Sequence, residues 1–188
     1  KMMSKALTDG LAARYSDDQF VMFTSIPKND FEKYLENAVR YISENAPIAN
    51  LLVKYGVYKD VDKSISISEI CDRAIMAMKS IQLNYEKNIA YYDDQLGQQH
   101  MREVMMENDF ENALRNEEFE VWFQPKYNVQ TEKIAGAEAL IRWRKQDGSM
   151  VSPGAFSPLF ERDGLITRLD EYVFKKVGQI QKERLTQG

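Results

Sequence analysis

The sequence predicts an α/β chain of two lobes joined by helical structure. Strand and helix patterns alternate over residues 1–93, no strand pattern occurs over residues 94–116, and two strands followed by two helices are predicted over residues 117–188. A length of 188 residues allows one domain or two small ones. We therefore assign residues 1–93 to a first lobe, residues 94–116 to a helical connector that includes the first helix of the second lobe, and residues 117–188 to that second lobe.

Composition excludes several classes of protein. The chain has 25 Lys and Arg residues against 29 Asp and Glu residues, and its net charge of −4 is not that of a basic nucleic-acid-binding protein. One cysteine, Cys71, permits no internal disulfide, and one histidine, His100, leaves no His/Cys cluster for zinc. No apolar run approaches the ~20 residues that span a bilayer. We therefore expect a cytoplasmic chain with no nucleic-acid polymer as partner and no membrane segment.

Both ends of the sequence lie beside helical patterns. The chain opens at Lys1 rather than at a methionine, and it stops at Gly188 directly after a long helical pattern. We expect it to be a piece of a larger protein, which an upstream segment could tether to the inner face of the membrane.

The first lobe is predicted to open with a β-hairpin. Strands at Ala12–Tyr15 and Phe20–Ile26 flank the polar turn Ser16–Gln19, and the second strand is rich in β-branched and aromatic residues. Residues 31–42 then repeat apolar side chains at the spacing of one helix face. A hairpin followed by a helix is therefore expected.

Two further strands and a second helix complete the first lobe. Leu51–Tyr58 and Asn88–Tyr92 are strand-like, and Ser66 with Glu69 forms the capping box of a helix between them. This order of elements predicts one mixed sheet covered by helices.

The second lobe is predicted as a helix, two strands and two helices. Asn108, followed by Glu111, can cap the first helix. The remaining elements are strands at Glu118–Tyr127 and Ile134–Trp143, a helix that starts at Ser152-Pro153, and a long amphipathic helix at Ile166–Leu185.

The hairpin turn of the first lobe holds polar residues with a possible chemical role. Asp17 and Asp18 are adjacent carboxylates, and Mg²⁺ prefers oxygen ligands. Asp and Ser are also favourable turn residues for conformational reasons alone. Both interpretations of the turn are open at this point.

The second place with chemical potential is the strand at residues 137–143. Because side chains alternate along a strand, Glu138, Leu140 and Arg142 face one side. Both faces are largely apolar, as in a buried parallel strand, and a carboxylate there needs a cation or a donor. Glu138 for a metal and Arg142 for a phosphate would form half of a phosphodiester site. The alternative is an internal Glu138–Arg142 ion pair.

Both places resemble the tandem GGDEF–EAL proteins of bacterial cyclic-di-GMP signalling. Residues 14–20, Arg-Tyr-Ser-Asp-Asp-Gln-Phe, lie where that family carries Arg-Tyr-Gly-Gly-Asp-Glu-Phe. The second half follows the opening of an EAL domain in Phe123-Gln124-Pro125, residues 136–143, Asp147-Gly148, Pro153 with Phe156, and residues 164–166. The resemblance implies an α+β, GGDEF-like first lobe and a second lobe that is the start of a TIM-type EAL barrel, a fold of ~250 residues.

The first lobe departs from the GGDEF pattern where a cyclase needs it. Ser16 and Asp17 replace two glycines that let GTP phosphates approach the backbone, and they add bulk and a negative charge. The acid pair before Phe20 becomes Asp18 and Gln19, so one possible metal ligand is lost. The resemblance therefore implies a degenerate, catalytically inactive GGDEF domain that could still bind GTP.

The second lobe keeps the opening residues of the EAL pattern. The resemblance gives Glu138 the catalytic role of a metal ligand, gives Arg142 a contact with a phosphate of cyclic-di-GMP, and places Gln124 and Leu140 against the nucleotide. The other metal-binding acids of that family fall in later strands, which would come after Gly188. It follows that Mg²⁺ or Mn²⁺ belongs to the complete parent protein, and we expect this chain to bind none.

Two functions agree with the resemblance. The parent could be a cyclic-di-GMP phosphodiesterase with a regulatory GGDEF domain, in which case the chain as given is inactive. It could instead be a non-catalytic cyclic-di-GMP receptor or interaction scaffold. In either case the strands Glu118–Tyr127 and Ile134–Trp143 carry apolar faces that a barrel would cover. We expect these faces to pack against another copy or against the remainder of the barrel.

Overall fold

A computed structural model describes residues 10–26, 28–45 and 52–186. The chain divides into two compact units, Lys1–Gly97 and Gln98–Gly188. Across the described ranges, none of the helices combines the length and the apolar character needed to cross a bilayer. The domain limits at residues 93 and 116 stay predictions, because a division into compact units does not identify either unit.

The first unit opens with the predicted hairpin. Strand β1 (Gly10–Arg14) pairs antiparallel with β2 (Phe20–Thr24), with Arg14 opposite Phe20 next to the turn. The turn is closed by the carbonyl of Gln19, which accepts from the backbone N–H groups of Tyr15 at 2.8 Å and Ser16 at 3.3 Å. The polar residues 16–19 therefore form the turn that the sequence predicts.

The rest of the first unit alternates helix and strand. Helix α1 (Lys28–Asn45) is followed by β3 (Tyr55–Val57), α2 (Ile67–Ser80) and β4 (Ile89–Tyr91). The hydroxyl of Ser66 accepts from the backbone N–H of Glu69 at 3.2 Å, which confirms the predicted start of α2. The predicted start of the third strand at Leu51 lies outside the described residues.

The single mixed sheet predicted for the first lobe is wrong for the strands that the structure describes. β1 pairs only with β2, and β3 pairs in parallel only with β4, over three residues. β1 is exposed along its whole length, and neither strand of the hairpin is hydrogen-bonded to β3 or β4. The two pairs therefore remain separate sheets.

Helix α2 lies directly against β3 because residue 56 is a glycine. A Cβ at Gly56 would lie 1.8 Å from the carbonyl oxygen of Ala74 and 2.6 Å from the backbone nitrogen of Met78. Both atoms belong to the backbone of α2, so they cannot move aside as a side chain would. The absence of a side chain at Gly56 therefore sets how closely this helix covers the strand.

The second unit is built around a three-stranded antiparallel sheet. β5 (Phe119–Tyr127) pairs with β6 (Ile134–Arg144), which pairs with β7 (Met150–Val151). Helices α4 (Pro153–Arg162) and α5 (Ile166–Thr186) follow, so the helix start predicted at Ser152-Pro153 is confirmed. A closed barrel is not formed by these elements.

Two expectations for the second lobe need correction. Helix α3 runs unbroken from Asp94 to Arg115, so Asn108 lies inside it and does not cap a separate helix. Helix-forming residues on both sides of Asn108 continue the backbone hydrogen bonding, and no proline interrupts them. The strand that carries Glu138 pairs antiparallel with β5 and is not a buried parallel strand, because residues 128–133 connect it to β5 as a hairpin.

An aromatic cluster forms the core of the second unit. Phe119 and Trp143 lie opposite each other on β5 and β6, with their ring centroids 5.0 Å apart. The indole N–H of Trp143 donates to Oε2 of Glu118 at 3.0 Å, so the polar atom of this buried ring is satisfied. The other buried members, from α3, α4 and α5, are Phe110, Ala113, Phe156, Leu159, Phe160 and Leu169.

We expect Gly56→Ala to destabilise the first unit by about 1–3 kcal/mol, because the added Cβ forces α2 away from β3. Gly136→Ala is the control, since nothing lies within 4 Å of a Cβ at that position. Urea unfolding of both variants tests this. Equal midpoints for Gly56→Ala and the unsubstituted chain would contradict the close approach of α2.

Candidate functional site

Four of the residues predicted to form a site lie on one face of the β5–β6 hairpin. Gln124 is opposite Glu138, Trp122 is opposite Leu140, and Glu120 is opposite Arg142. Since directly opposed residues of an antiparallel pair share a face, the register brings Gln124 to the side of Glu138, Leu140 and Arg142. We call this surface the polar face, and its members are Glu120, Trp122, Gln124, Lys126, Glu138, Leu140, Arg142 and Arg144.

The aromatic core decides which side of the hairpin becomes the polar face. Phe119, Ile141 and Trp143 alternate with the polar-face residues and turn towards the core. The sequence prediction that Glu138, Leu140 and Arg142 share one side is therefore confirmed. Their side is the one that points away from the aromatic cluster.

Glu138 is not the buried carboxylate that the sequence suggested. Its side chain is 52% exposed and forms an ion pair with Lys126, with Nζ and Oε2 2.9 Å apart. Lys126 reaches Glu138 diagonally because it stands opposite Gly136, which has no side chain to intervene. The alternative of an internal Glu138–Arg142 ion pair is wrong in this structure, since the partner comes from the neighbouring strand.

Arg142 has a different environment. Its Nη1 donates to the carbonyl of Ile141 at 2.8 Å, and its guanidinium carbon lies 5.8 Å from the centre of the Trp122 ring. Within the described ranges Arg142 takes part in no ion pair. A guanidinium in cation–π contact with an aromatic ring still has N–H donors that can bind a phosphate.

Glu120 and Trp122 belong to the polar face, and sequence reasoning missed them. The indole N–H of Trp122 donates to Oε2 of Glu120 at 2.9 Å, and Nε of Arg144 donates to Oε1 at 2.6 Å. These hydrogen bonds, from Arg144 and then from Trp122, lower the pKa of Glu120 below its usual value. Alternation counted back from Gln124 along the same strand would have found both residues.

The donor set of the described residues does not fit a divalent metal. Nowhere in residues 10–26, 28–45 or 52–186 do three or more His, Cys, Asp or Glu side chains gather as a metal site would require. Glu138 offers one carboxylate, whereas Mg²⁺ needs near-octahedral oxygen coordination. The role of Glu138 as a metal ligand therefore stays a prediction.

The hairpin turn of the first unit is stabilised mainly from within. The guanidinium of Arg14 donates to the carbonyl of Ser16 at 3.2 Å and also to that of Asp17. It lies 6.0 Å from the ring centre of Phe20. Ser16, Asp17 and Asp18 are exposed, and Gln19 is half-buried. This geometry favours the interpretation of Asp17 and Asp18 as turn residues, because donors inside the hairpin bind its carbonyls.

We expect the indole N–H resonance of Trp122 to titrate with the carboxyl of Glu120. The pKa of Glu120 is lowered in the folded chain, so its contribution to stability is present above the ordinary Glu value and is lost as pH falls through the lowered one. An NMR pH titration should give a midpoint below that of an ordinary Glu. Glu120→Gln should abolish the transition and Glu132→Gln should retain it. A midpoint at or above the ordinary value would contradict the hydrogen bonds described.

The second half of the chain is similar to a known domain family. Residues 107–188 match the EAL domain family. The biofilm architecture maintenance protein MbaA of Vibrio cholerae is 28% identical over 183 residues, which cover 92% of this chain and 23% of that protein. The cyclic di-GMP phosphodiesterase PdeL of Escherichia coli is 32% identical over 81 residues, which cover 43% of this chain and 22% of that protein.

A solved structure is similar over most of the chain. It is the S helix-GGDEF-EAL part of Vibrio cholerae LapD bound to c-di-GMP, with 17% identity and a TM-score of 0.48, covering 94% of this chain and 42% of that one. The chain spans about a quarter of the length of the first curated relatives that it matches. The polar face lies within residues 107–188, the part of the chain that matches the EAL domain family.

Proposed function

We propose that this chain contributes the phosphodiester-binding face of an EAL domain that acts in cyclic-di-GMP signalling. The observation that supports this most directly is the register of β5 and β6, which gathers Gln124, Glu138, Leu140 and Arg142 on the polar face. Matches to proteins named as cyclic di-GMP phosphodiesterases support the choice of ligand. The whole protein is, in this proposal, a phosphodiesterase.

Each of the four predicted site residues on the polar face has a chemical role in the proposal. Arg142 presents its guanidinium edge to a phosphate of cyclic-di-GMP, and Gln124 and Leu140 offer an amide and an apolar surface to the nucleotide. Glu138 gives one carboxylate ligand to Mg²⁺ or Mn²⁺ in the whole protein. For that role the ion pair between Glu138 and Lys126 must break. The pair is exposed, and an exposed ion pair contributes little stabilising free energy in water.

The first unit is proposed to be a GGDEF-like regulatory module without cyclase activity. Asp17 adds an exposed carboxylate at the turn where a triphosphate would lie, and Arg14 is already bound to the carbonyls of that turn. The negative charge of Asp17 repels the phosphates of GTP. This repulsion opposes the GTP binding that a cyclase needs. Weak GTP binding at Ser16–Phe20 remains a prediction of the resemblance.

A second candidate is a receptor or scaffold that binds cyclic-di-GMP without cleaving it. The observation that favours it is the pairing of Glu138 with Lys126. Self-association also stays a prediction, and it would involve the exposed apolar residues near the end of the hairpin, Tyr127, Val129 and Ile134.

We expect the purified 188-residue chain neither to synthesise nor to hydrolyse cyclic-di-GMP with Mg²⁺ or Mn²⁺. The reasons are the substituted turn and the absence, among the described residues, of a group of three or more His, Cys, Asp or Glu side chains that could hold a metal. Chromatographic assay of nucleotide products, with GTP and with cyclic-di-GMP as substrates, tests this. Metal-dependent turnover that Glu138→Ala abolishes would show that the chain builds a complete site.

We expect Arg142→Ala to weaken cyclic-di-GMP binding by the chain. Loss of a charged hydrogen bond to phosphate costs about 1.5–3 kcal/mol, or roughly 10- to 150-fold in Kd. Arg142→Lys should recover only part of the affinity because an ammonium lacks the planar fork. Lys133→Ala, which removes an exposed charge from the β5–β6 turn, is the control.

Chemical-shift titration with cyclic-di-GMP measures this affinity and also maps the contact. The resonances of Gln124, Leu140 and Arg142 should move, and GMP should move them less at equal concentration. Equal loss of affinity in Arg142→Ala and Lys133→Ala would indicate attraction by net charge alone and would remove the basis of the proposal.

A further inference from the structure

We propose that Trp122 is a positioning residue for Arg142, and that Glu120 holds Trp122 in place. This inference rests on the proposed function, because it assigns to Trp122 the task of presenting the Arg142 guanidinium to a phosphate. Three contacts on the polar face support this inference.

The first contact is the cation–π contact between Arg142 and Trp122. The guanidinium carbon of Arg142 lies 5.8 Å from the centre of the indole ring. Trp122 stands opposite Leu140, so Arg142 is its diagonal neighbour across the two strands. The indole is 48% exposed and lies outside the aromatic core, so burial does not account for a tryptophan at this place.

The second contact is the hydrogen bond between Trp122 and Glu120. The indole N–H donates to Oε2 of Glu120 at 2.9 Å, two residues along the same strand. This bond restricts the rotation of the Trp122 ring, and the ring in turn restricts the guanidinium that lies on it. A side chain that is ordered before its ligand arrives loses less entropy on binding.

The third contact removes a competing anion. Glu120 is the residue directly opposite Arg142, yet its carboxylate is bound by Arg144, at 2.6 Å from Nε, and by Trp122. Without these two donors, the carboxylate of Glu120 would be free to pair with Arg142 and occupy the edge intended for phosphate. Trp122 therefore has two effects on Arg142. It contacts the Arg142 guanidinium with its ring, and its N–H binds the Glu120 carboxylate that would otherwise compete.

The ligand-free chain gives the direct test. We expect the Nε–Hε resonance of Arg142, assigned by its loss in Arg142→Gln, to lie upfield of the other arginines because of the indole ring current. Trp122→Leu should return it to the ordinary range. Tyr127→Leu is the matched control, since it removes another exposed aromatic ring from the same hairpin. The indole N–H resonance of buried Trp143 reports whether each variant is folded.

Cyclic-di-GMP titration then tests the functional role. A cation–π contact at an exposed site corresponds to roughly a two- to fivefold change in affinity, so Trp122→Leu should raise Kd by that factor. Trp122→Phe should recover only part of the affinity, because it keeps a ring face but loses the indole N–H that donates to Glu120. In the Arg142→Gln background, Trp122→Leu should change Kd no further, because the effect of Trp122 passes through Arg142.

The two proposals fail in different ways. An Arg142 resonance that does not move in Trp122→Leu would overturn the positioning role, whatever the chain binds. Equal effects of Trp122→Leu with and without Arg142 would also overturn it. A wild-type chain that has the shifted Arg142 resonance and does not bind cyclic-di-GMP would overturn the proposed function of the polar face.

Discussion

The packing of Phe119 against Trp143 is the interaction on which the second unit depends. These residues are paired across β5 and β6, and α3, α4 and α5 bring further aromatic and aliphatic side chains against them. A shift of one strand by one residue would turn either Phe119 or Trp143 to the outside. The cost of exposing a large aromatic ring therefore fixes the pairing of the hairpin.

The candidate site is a consequence of that register. Once Phe119 and Trp143 face the core, Gln124, Glu138 and Arg142 must face away from it. Cross-strand partners then sort the charges, since Lys126 binds Glu138 and Arg144 binds Glu120. The guanidinium of Arg142 instead contacts the Trp122 ring, and it has N–H donors for an anion.

The first unit is held together by different means. Gly56 lets α2 pack directly on β3, and the guanidinium of Arg73 lies 5.2 Å from the ring centres of both Tyr58 and Tyr92. These contacts hold the helix and the parallel strand pair together. The hairpin turn with Asp17 and Asp18 is exposed and closed by its own hydrogen bonds.

Several local features of this protein can be predicted from the sequence alone. The polar turn of the hairpin, the capping box at Ser66 and the common side of Glu138 and Arg142 follow from turn propensity, capping and alternation, which act over a few residues. The tertiary structure decided which strands pair and in what direction. It also decided that Glu138 binds Lys126 and that Trp122 supports Arg142, because these contacts join residues that only the β5–β6 register brings together.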